Sequence, residues 1–382
     1  AVLKLGLTLK RLLVNKNMKV LHISKNLVGG IGTVVKTLLK LFPLNKSLNL
    51  DNPLKNNNIF NKYRDLKDSF ANEYKKYNLI HLHGAWTLHI LLFKKKLHIP
   101  VLISPHGALD RISLQKSKYK KKLVKYLYMK SVYENATFFH ALTDKEAQDI
   151  RDYGIKNIPI AIIPNGIDFE ERLVINHKLQ ERLLKLAENR KIILSLSRLH
   201  ESKGIEILIE SFEKICHNNN KNVLFIVGAG DEKYNSFLFN KITDSRLENN
   251  IFLLGEMLDA DKNTVYNISN LFVLPSLNEG FPLTVLEAYR QKIPVITTTA
   301  TPFEEIADKK CGWYIEPTVD NIYSTLMYAT SLHNEDLKKM GKIGYEWMNK
   351  NYNLKIVNSM YQDLYLWLIT KENKPDYMIS NR

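Results

Sequence analysis

The sequence contains very little cysteine. Cys216 and Cys311 are the two cysteines among 382 residues, and they lie far apart without any CxxC-type spacing. A disulfide framework or a structural zinc site needs several cysteines at short, regular spacings. We therefore expect neither, and we expect a reducing, cytoplasmic compartment.

Long apolar runs are also missing. A membrane-spanning helix needs about 20 consecutive apolar residues, and no stretch approaches that length, although 45% of the residues are hydrophobic. The first seventeen residues mix basic and apolar side chains, without a long apolar core or a small-residue cleavage site. They are predicted to form an N-terminal extension or a surface amphipathic segment, and not a signal peptide.

Acidic residues are scarce relative to basic ones. The chain has 39 Asp and Glu against 55 Lys and Arg, which gives a formal net charge of +16. Three kinds of anionic partner fit this charge: nucleic acid, phosphorylated small molecules and an anionic membrane surface. Part of the surplus lies in residues 45–62, which are predicted to be a polar surface insertion. No RNP-like or helix-turn-helix pattern supports nucleic-acid binding, so nucleic acid is not an expected partner and stays an alternative of another class.

Short apolar runs alternate with helical patterns along the whole chain. This alternation predicts an α/β protein with parallel sheets, and the length predicts about two domains with a cleft between them. The residues from 337 to 370 are predicted to be helical and to pack across both domains, with a frayed polar tail over 371–382. The candidate strands are Lys19–Ser24, Leu79–His83, Val101–Ser104, Phe138–Ala141, Ile160–Ile163, Ile192–Leu196, Val223–Val227, Ile251–Leu254, Leu271–Leu274, Val295–Thr298 and Trp313–Ile315.

The first candidate strand is followed by a glycine-rich segment, LVGGIGT. Glycines at such a loop let a ligand approach the backbone, and the amino terminus of the following helix, predicted from Val34, favours an anion. Gly29, Gly30 and Gly32 are therefore candidate ligand-binding residues. The GxGxxG spacing of a dinucleotide site is missing, so a simple tight turn remains the alternative.

Two cations follow the first strand of the second half. Arg198 and Lys203 lie in LSRLHESKG, which leads into an amphipathic helix. An arginine fork and a lysine point charge at the carboxyl end of a strand suit a pyrophosphate. The alternative is a pair of exposed basic residues on a turn.

Two carboxylates follow the candidate strand Leu271–Leu274, in the stretch LNEGFPLTVLEA. Glu279 lies on the loop, and Glu287 lies in a helix predicted to start near Pro282. A carboxylate can accept hydrogen bonds from the adjacent hydroxyls of a ribose or a sugar, and the amides of Gly280 and Phe281 can face phosphates. Two solvated surface acids remain the alternative.

These residues carry a resemblance to a known family. Glu279 and Glu287 in NEGFPLTVLEA, with Arg198 and Lys203 upstream, resemble the retaining glycosyltransferases of family 4, which have the GT-B fold. The resemblance extends over residues 18–351. It includes the GGIG segment, HLHGAW, SPHGALD and PNGID.

The resemblance implies an N-terminal Rossmann-like acceptor domain over residues 18–170 and a C-terminal Rossmann-like donor domain over 171–350, with residues 351–382 as a C-terminal helix and tail. It also implies a nucleotide-sugar donor, a saccharide or lipid-linked acceptor, retention at the anomeric carbon, no metal and no separate cofactor. Bacterial surface polysaccharide synthesis is the implied setting. A nucleotide-sugar epimerase of similar architecture is the alternative enzyme.

The roles of single residues follow from the same resemblance. It places Arg198 and Lys203 on the donor diphosphate, Glu287 on the ribose, Glu279 on the donor sugar and His106 near the far hydroxyls of that sugar. In this interpretation Glu279 orients or stabilises the sugar and does not attack it.

Three further features are weaker. Asp259 and Asp261 resemble a metal-binding DxD motif, but they precede a helical pattern and are predicted to cap it. His81 and His83 share one strand face, where a role in the core or at the ligand site is favoured over zinc. The segment 227–231 lies where the resembled family often has a Gly-Asp-Gly loop near the base, and it is predicted to be a turn.

A basic segment over residues 111–130 contains many cations and no acid. Its apolar side predicts a helix lying on an anionic membrane surface, and a solvated helix face is the alternative. If the acceptor is lipid-linked, the protein would be peripheral at the inner face of the membrane.

Overall fold

The computed structural model describes residues 18–24, 29–41, 45–49, 59–86, 88–93, 95–110, 114, 130–218 and 221–379. The N-terminal extension and nearly all of the basic segment 111–130 lie outside the described residues. The described chain divides into two compact units. Unit 1 contains the described residues up to 165 and from 355 onward, and unit 2 contains those from 166 to 354.

Thirteen strands are described. In chain order they are β1 Val20–Ser24, β2 Lys46–Asn49, β3 Leu79–His83, β4 Val101–Ser104, β5 Phe138–Ala141, β6 Ile160–Ile162, β7 Lys191–Leu196, β8 Asn222–Val227, β9 Ile251–Leu253, β10 Leu271–Leu274, β11 Val295–Thr298, β12 Gly312–Ile315 and β13 Met378–Ile379.

The helices surround these strands. They are α1 Gly29–Leu41, α2 Ile59–Glu73, α3 Lys130–Glu134, α4 Asp144–Asp152, α5 His177–Ala187, α6 Ile205–Asn218, α7 Glu232–Asp244, α8 Asp259–Asn267, α9 Leu283–Arg290, α10 Glu305–Asp308, α11 Val319–Ser331, α12 Asn334–Tyr352 and α13 Leu354–Thr370. Short 3-10 helices cover Tyr74–Lys76, Leu88–Phe93 and Glu201–Lys203.

Each unit contains one mainly parallel sheet. In unit 1 the strand order is β13-β6-β5-β4-β3-β1-β2, with β13 antiparallel to β6. In unit 2 the order is β12-β11-β10-β7-β8-β9. The strands between the edges are buried on both faces, which is why they read as unbroken apolar runs such as VLFIV and LFVL. The prediction of two α/β domains with parallel sheets is confirmed.

Two edge strands were not predicted. The strand β2 lies inside the predicted polar insertion 45–62 and pairs with β1, with Leu21 opposite Lys46. The strand β13 lies in the tail that was predicted to be frayed, and Met378 there is buried. Both predictions were wrong at these residues. An edge strand needs few apolar side chains because backbone hydrogen bonds to one neighbour hold it.

The predicted carboxyl-terminal helix is two helices. The helix α12 packs in unit 2, where a Cβ at Gly344 would lie 2.0 Å from Cε1 of Tyr289. The helix α13 packs in unit 1, where Tyr361, Leu364 and Tyr365 are buried beside β-strand residues. In the part of the chain that the structure describes, every helix is too short or too polar to span a bilayer.

Candidate active site

The loops that follow β7 and β10 pack directly on each other in unit 2. Gly204 ends the first loop with φ of +63°, and a Cβ at this position would lie 2.2 Å from the carbonyl oxygen of Pro275. The amide of Leu277 donates to the carbonyl oxygen of Ser202 across 2.9 Å. Glycine is therefore required at position 204 for the two loops to approach this closely.

The loop that follows β8 adjoins the same loop from its other side. The amide of Leu199 donates to the carbonyl of Ala229 across 2.8 Å, and a Cβ at Gly228 would lie 1.8 Å from the carbonyl oxygen of Ser197. Asp231 accepts a hydrogen bond from the amide of Tyr234 and caps α7. The segment 228–231 thus forms a close turn that leads into a capped helix.

These loops bring Lys203 and Glu279 together. The Nζ of Lys203 lies 2.5 Å from Oε1 of Glu279, and the two side chains are 13% and 10% exposed. The hydroxyl of Ser276 donates to the same carboxylate oxygen across 2.8 Å. A cation and an acid, both largely withdrawn from water, therefore meet at the carboxyl edge of the sheet.

Arg198 lies on the same loop as Lys203 but has a different environment. It is exposed, and its guanidinium contacts no acceptor within the described part of the chain. Arg198 is therefore available to an anionic ligand, whereas Lys203 already has a carboxylate partner.

Gly280 and Phe281 connect Glu279 to α9. The ring of Phe281 packs edge-on against Phe303 and Tyr352, with centroids 5.1 and 5.5 Å away. The amide groups of residues 280 and 281 have no acceptor in the residues that the structure describes. The ring thus anchors the backbone while two amides remain available.

Glu287 is held by a second set of partners. The Nζ of Lys262 lies 2.7 Å from its Oε1, and the hydroxyl of Tyr266 lies 3.3 Å from its Oε2. Burial, followed by the Glu287 charge, raises the pKa of Tyr266 well above its usual value, so this hydroxyl stays protonated and can donate. The Glu287 side chain is 13% exposed, so its carboxylate has a defined orientation.

The three candidate glycines lie inside a helix. The helix α1 starts at Gly29, so the prediction of a loop through residue 33 and a helix from Val34 was wrong. A Cβ at Gly30 would meet nothing within 4 Å. Gly29, Gly30 and Gly32 thus occupy the first turn after β1, where helix amides lack internal acceptors.

His106 follows β4 in unit 1 and has an unusual backbone. Its φ is +54°, which is uncommon for a residue other than glycine. The buried carboxylate of Glu146 supports this turn by accepting from the amides of Gly107, at 2.6 Å, and Leu142, at 2.8 Å. Strained backbone of this kind is often found at functional sites.

Four further histidines form a cluster with His106. His22, His81, His83 and His140 are 0–1% exposed, and His83 Nδ1 lies 3.1 Å from His106 Nε2. Burial lowers the pKa of His140 to about 4 and that of His22 and His106 to about 3, and it lowers the pKa of His81 and His83 well below the usual value. The cluster is therefore neutral at pH 7.

The nitrogens of His22, His81 and His83 lie within 4.8 Å of one another, a spacing that could suit a metal ion. Each ring nitrogen already has a polar neighbour. Tyr365 and Ser104 contact the two nitrogens of His81, each at 2.6 Å, and Asn45, His22, His83 and His106 contact one another in sequence. An ion would have to displace these contacts.

The DxD-like pair has a structural role. The cap of α8 is Leu258, while Asp259 is its first residue with φ of +46°. Asp261 accepts a hydrogen bond from Nδ2 of Asn176 across 2.7 Å. The prediction that these aspartates cap the helix was wrong, because Asp261 instead links α8 to the start of α5.

Sequence reasoning did not find several contacting residues. Lys262, Tyr266 and Ser276 hold the two carboxylates, and His22 and Glu146 support His106. Glu146 gave a usable signal, since it is an acid on the inward side of a short amphipathic helix. The others carry no local pattern, because their partners are distant in sequence.

Comparison with known proteins finds related families and relatives. Residues 178–347 match the model of the glycosyl transferases group 1, and residues 43–171 match that of glycosyltransferase family 4. The chain is 27% identical over 316 residues to the UDP-Gal:alpha-D-GlcNAc-diphosphoundecaprenol alpha-1,3-galactosyltransferase of Escherichia coli, covering 78% of this chain and 77% of that protein. It is 33% identical over 153 residues to the capsular polysaccharide biosynthesis glycosyltransferase CapM of Staphylococcus aureus, covering 40% of each.

Solved structures share the fold. Sucrose-phosphate synthase from Thermosynechococcus elongatus superposes with a TM-score of 0.75 at 18% identity, covering 93% of this chain and 100% of that one. Anabaena HepE in complex with UDP and glucose superposes with a TM-score of 0.71 at 15% identity, covering 91% and 99%. The fold and the family matches define a glycosyltransferase of the GT-B class.

Within that class, the two matched families together span most of both units. The chain belongs to the family 4 glycosyltransferases.

Proposed function

We propose that this enzyme moves a sugar from a nucleoside-diphosphate sugar to a saccharide or lipid-linked acceptor, with retention and without a metal ion. The observation that carries the proposal is the contact between Lys203 and Glu279 at the carboxyl edge of the unit 2 sheet. Ligands in open α/β sheets bind at this edge. A lysine beside a carboxylate can bind both parts of such a donor, because the lysine suits the diphosphate and the carboxylate accepts hydrogen bonds from the sugar.

The diphosphate would be bound by groups that lack acceptors in the described structure. Arg198 offers an exposed guanidinium, and the amides of Gly280 and Phe281 offer two N–H donors. Lys203 would exchange part of its contact with Glu279 for a phosphate oxygen. These positive groups stabilise the charge that develops on the leaving diphosphate, and no metal is needed for that role.

The carboxylates would bind hydroxyl groups. Glu287 keeps a fixed orientation through Lys262 and Tyr266, as recognition of the adjacent hydroxyls of a ribose requires. Glu279 would accept from hydroxyls of the donor sugar and stabilise the positive charge that develops at the anomeric carbon. Gly29, Gly30 and Gly32 would let phosphate or sugar oxygens approach the first turn of α1.

The transfer step follows from these roles. The bond between the anomeric carbon and the diphosphate oxygen breaks, and the electron pair leaves with the diphosphate. The acceptor hydroxyl forms its bond on the same face of the sugar, and its proton passes to a phosphate oxygen. His106 would donate a hydrogen bond to the sugar and would not take up the proton, because burial lowers its pKa to about 3.

The setting we propose is the synthesis of bacterial surface polysaccharide. The E. coli and S. aureus relatives are named for a diphosphoundecaprenol-linked sugar and for capsular polysaccharide. An acceptor of that kind would place the enzyme at the cytoplasmic face of the membrane, where the basic residues 111–130 would meet anionic lipid head groups. Flotation with anionic vesicles tests this contact, and a lack of binding contradicts it.

One experiment tests the central proposal. Purified protein is incubated with a panel of nucleotide sugars, and release of the nucleoside diphosphate is measured without and with saccharide and lipid-linked acceptors. We expect slow hydrolysis of one donor that is strongly accelerated by an acceptor. NMR of the product gives the anomeric configuration. A parallel reaction with a chelator tests whether a metal ion is required. Turnover of the donor that no acceptor changes would favour the epimerase alternative.

A further inference from the structure

His22, His83 and His106 form a chain of hydrogen bonds that all run in one direction. Nδ1 of His22 lies 3.0 Å from Nε2 of His83, and Nδ1 of His83 lies 3.1 Å from Nε2 of His106. In both pairs the ring centroids lie 5.4 Å apart with planes inclined by 18° and 15°, so the rings meet end to end. A neutral imidazole carries one N–H, so all the protons in the chain must point the same way.

Asn45 selects the direction. Its Oδ1 accepts from the amide of Val20 across 3.1 Å, and its Nδ2 donates to the carbonyl of Leu38 across 3.0 Å. Rotating the amide by half a turn would lose both hydrogen bonds. Nδ2 therefore faces Nε2 of His22, at 3.5 Å.

The proton positions follow from this orientation. An N–H on Nε2 of His22 would point at the N–H of Asn45, so His22 carries its proton on Nδ1 and donates to His83. His83 then carries its proton on Nδ1 and donates to Nε2 of His106. The low pKa values of these rings keep them neutral at pH 7. His106 must therefore carry its own proton on Nδ1.

We propose that Asn45, His22 and His83 are positioning residues that hold His106 in the Nδ1–H tautomer, so that it presents an N–H donor to its ligand. Among the described residues, Nδ1 of His106 has no hydrogen-bond partner, which leaves this donor for a ligand oxygen. The nature of that ligand, a sugar hydroxyl, rests on the proposed function. The tautomer is a property of the free protein and does not rest on it.

A second histidine chain follows the same alternation of donors and acceptors. The carbonyl of Ile163 can only accept, so His140 donates from Nε2 across 2.8 Å. Ser104 then donates to Nδ1 of His140 and accepts from Nε2 of His81, and Tyr365 donates to Nδ1 of His81. The same N–H of His140 also faces the hydroxyl oxygen of Tyr361, 3.1 Å from Nε2, which is then a second acceptor. The contacts of both chains therefore fit neutral rings.

The test is nitrogen-15 NMR of histidine-labelled protein at pH 7, without ligand. Long-range proton–nitrogen correlations distinguish the protonated from the unprotonated ring nitrogen, and loss of signals in His106→Gln assigns His106. We expect a protonated Nδ1 and an unprotonated Nε2. A protonated Nε2 on His106 would overturn the proposal even if the enzyme transfers sugar normally.

A substitution at Asn45 tests whether this residue sets the tautomer of His106. In Asn45→Asp the carboxylate faces His22 as an acceptor, so the chain should reverse and His106 should carry its proton on Nε2. We expect kcat/KM to fall about tenfold, because the donor aimed at the ligand becomes an acceptor. The matched control is Asn78→Asp, since Asn78 accepts from the amide of Lys19 outside the chain, and it should keep both the tautomer and the activity.

The outcomes separate the two proposals. A folded Asn45→Asp protein whose His106 still carries its proton on Nδ1 contradicts the role of Asn45. If Asn45→Asp does not fold, the wild-type spectrum still decides the tautomer. The expected tautomers in a protein that transfers no sugar would support the hydrogen-bond chain and contradict the proposed function alone.

Discussion

Lys203 and Glu279 are 76 positions apart in the sequence, and their side chains meet at 2.5 Å. The contact exists because the loops after β7 and β10 are packed together through Gly204 and Pro275. A largely buried cation beside a carboxylate is a poor device for stability, since both groups lose hydration. Under the proposed function, the pair is prepared for a charged ligand.

The first prediction concerns Lys203. Replacing it by alanine removes a cation from the proposed diphosphate site, and we expect kcat/KM to fall on the order of 100-fold or more while the fold is kept. Steady-state kinetics and thermal melting measure the two effects. The matched control is Lys241→Ala, which breaks another lysine–glutamate pair of unit 2, with Glu210. Transfer at the wild-type rate by Lys203→Ala would refute the assignment.

The second prediction concerns Glu287. Glu287→Ala removes the carboxylate that Lys262 and Tyr266 orient, and we expect transfer to be nearly abolished because the donor would lose its proposed ribose contact. Donor titration by calorimetry checks the cause, since binding itself should weaken. Glu210→Ala serves as the control. Unchanged donor affinity would show that Glu287 has only a structural role.

The third prediction concerns the loop packing. Gly204→Ala places a Cβ 2.2 Å from a backbone carbonyl and also strains a left-handed backbone, whereas Gly154→Ala, with φ of +110°, meets nothing within 4 Å. We expect Gly204→Ala to reduce both the free energy of unfolding and kcat/KM, and Gly154→Ala to cost only about 1–3 kcal/mol of backbone strain. Equal effects of the two changes on kcat/KM would contradict the packing argument.

The fourth prediction concerns Glu146. Glu146→Gln turns one of the two acceptor oxygens into a donor, which leaves the amide of either Gly107 or Leu142 unsatisfied. We expect a loss of about 1–3 kcal/mol in the free energy of unfolding together with a lower kcat. Urea unfolding and kinetics measure these quantities. Asp152→Asn on the same helix is the control. A normal kcat in Glu146→Gln would show that catalysis does not depend on this support of the turn.

The fifth prediction concerns pH. The folded-state pKa values of the five clustered histidines lie below 6.5, with His140 at about 4 and His22 at about 3. The unfolded chain therefore binds more protons than the folded one, so stability is kept above about pH 6.5 and is lost as the pH falls toward 4.

Each such histidine contributes up to about 1.4 kcal/mol per pH unit in that window. The free energy of unfolding from urea titrations at pH 7, 6 and 5 measures the slope. In His22→Gln the slope of the free energy of unfolding against pH should be smaller by the contribution of one proton, about 1.4 kcal/mol per pH unit. A stability that does not change between pH 7 and pH 5 would contradict a neutral, buried cluster.

Much of the fold could be predicted because each interior strand carries its own signal. The runs in β3, β4, β5, β10 and β11 were predicted with the bounds that the structure has. The start of α1 and the edge strands β2 and β13 could not be predicted in this way. Glycines are poor helix formers, so helix formation at Gly29 depends on its surroundings, and an edge strand depends on its neighbour.

The candidate site likewise contains residues that the sequence predicts and residues that it does not. Arg198, Lys203, Glu279 and Glu287 were predicted from motif and position, whereas Lys262, Tyr266 and Asn45 were not. Each of the latter matters only through a partner that is far away in the sequence. A motif records residue types at fixed spacing and contains no information about such partners.

The sequence by itself determined the class of fold and the chemical inventory, because periodic burial and strand-end motifs are local properties of a chain. Only the tertiary structure decided which groups share a proton, a charge or a hydrogen bond, such as Lys203 with Glu279 and His22 with His83. The physical reason is that these interactions act over about 3 Å, and folding alone brings distant residues within that range.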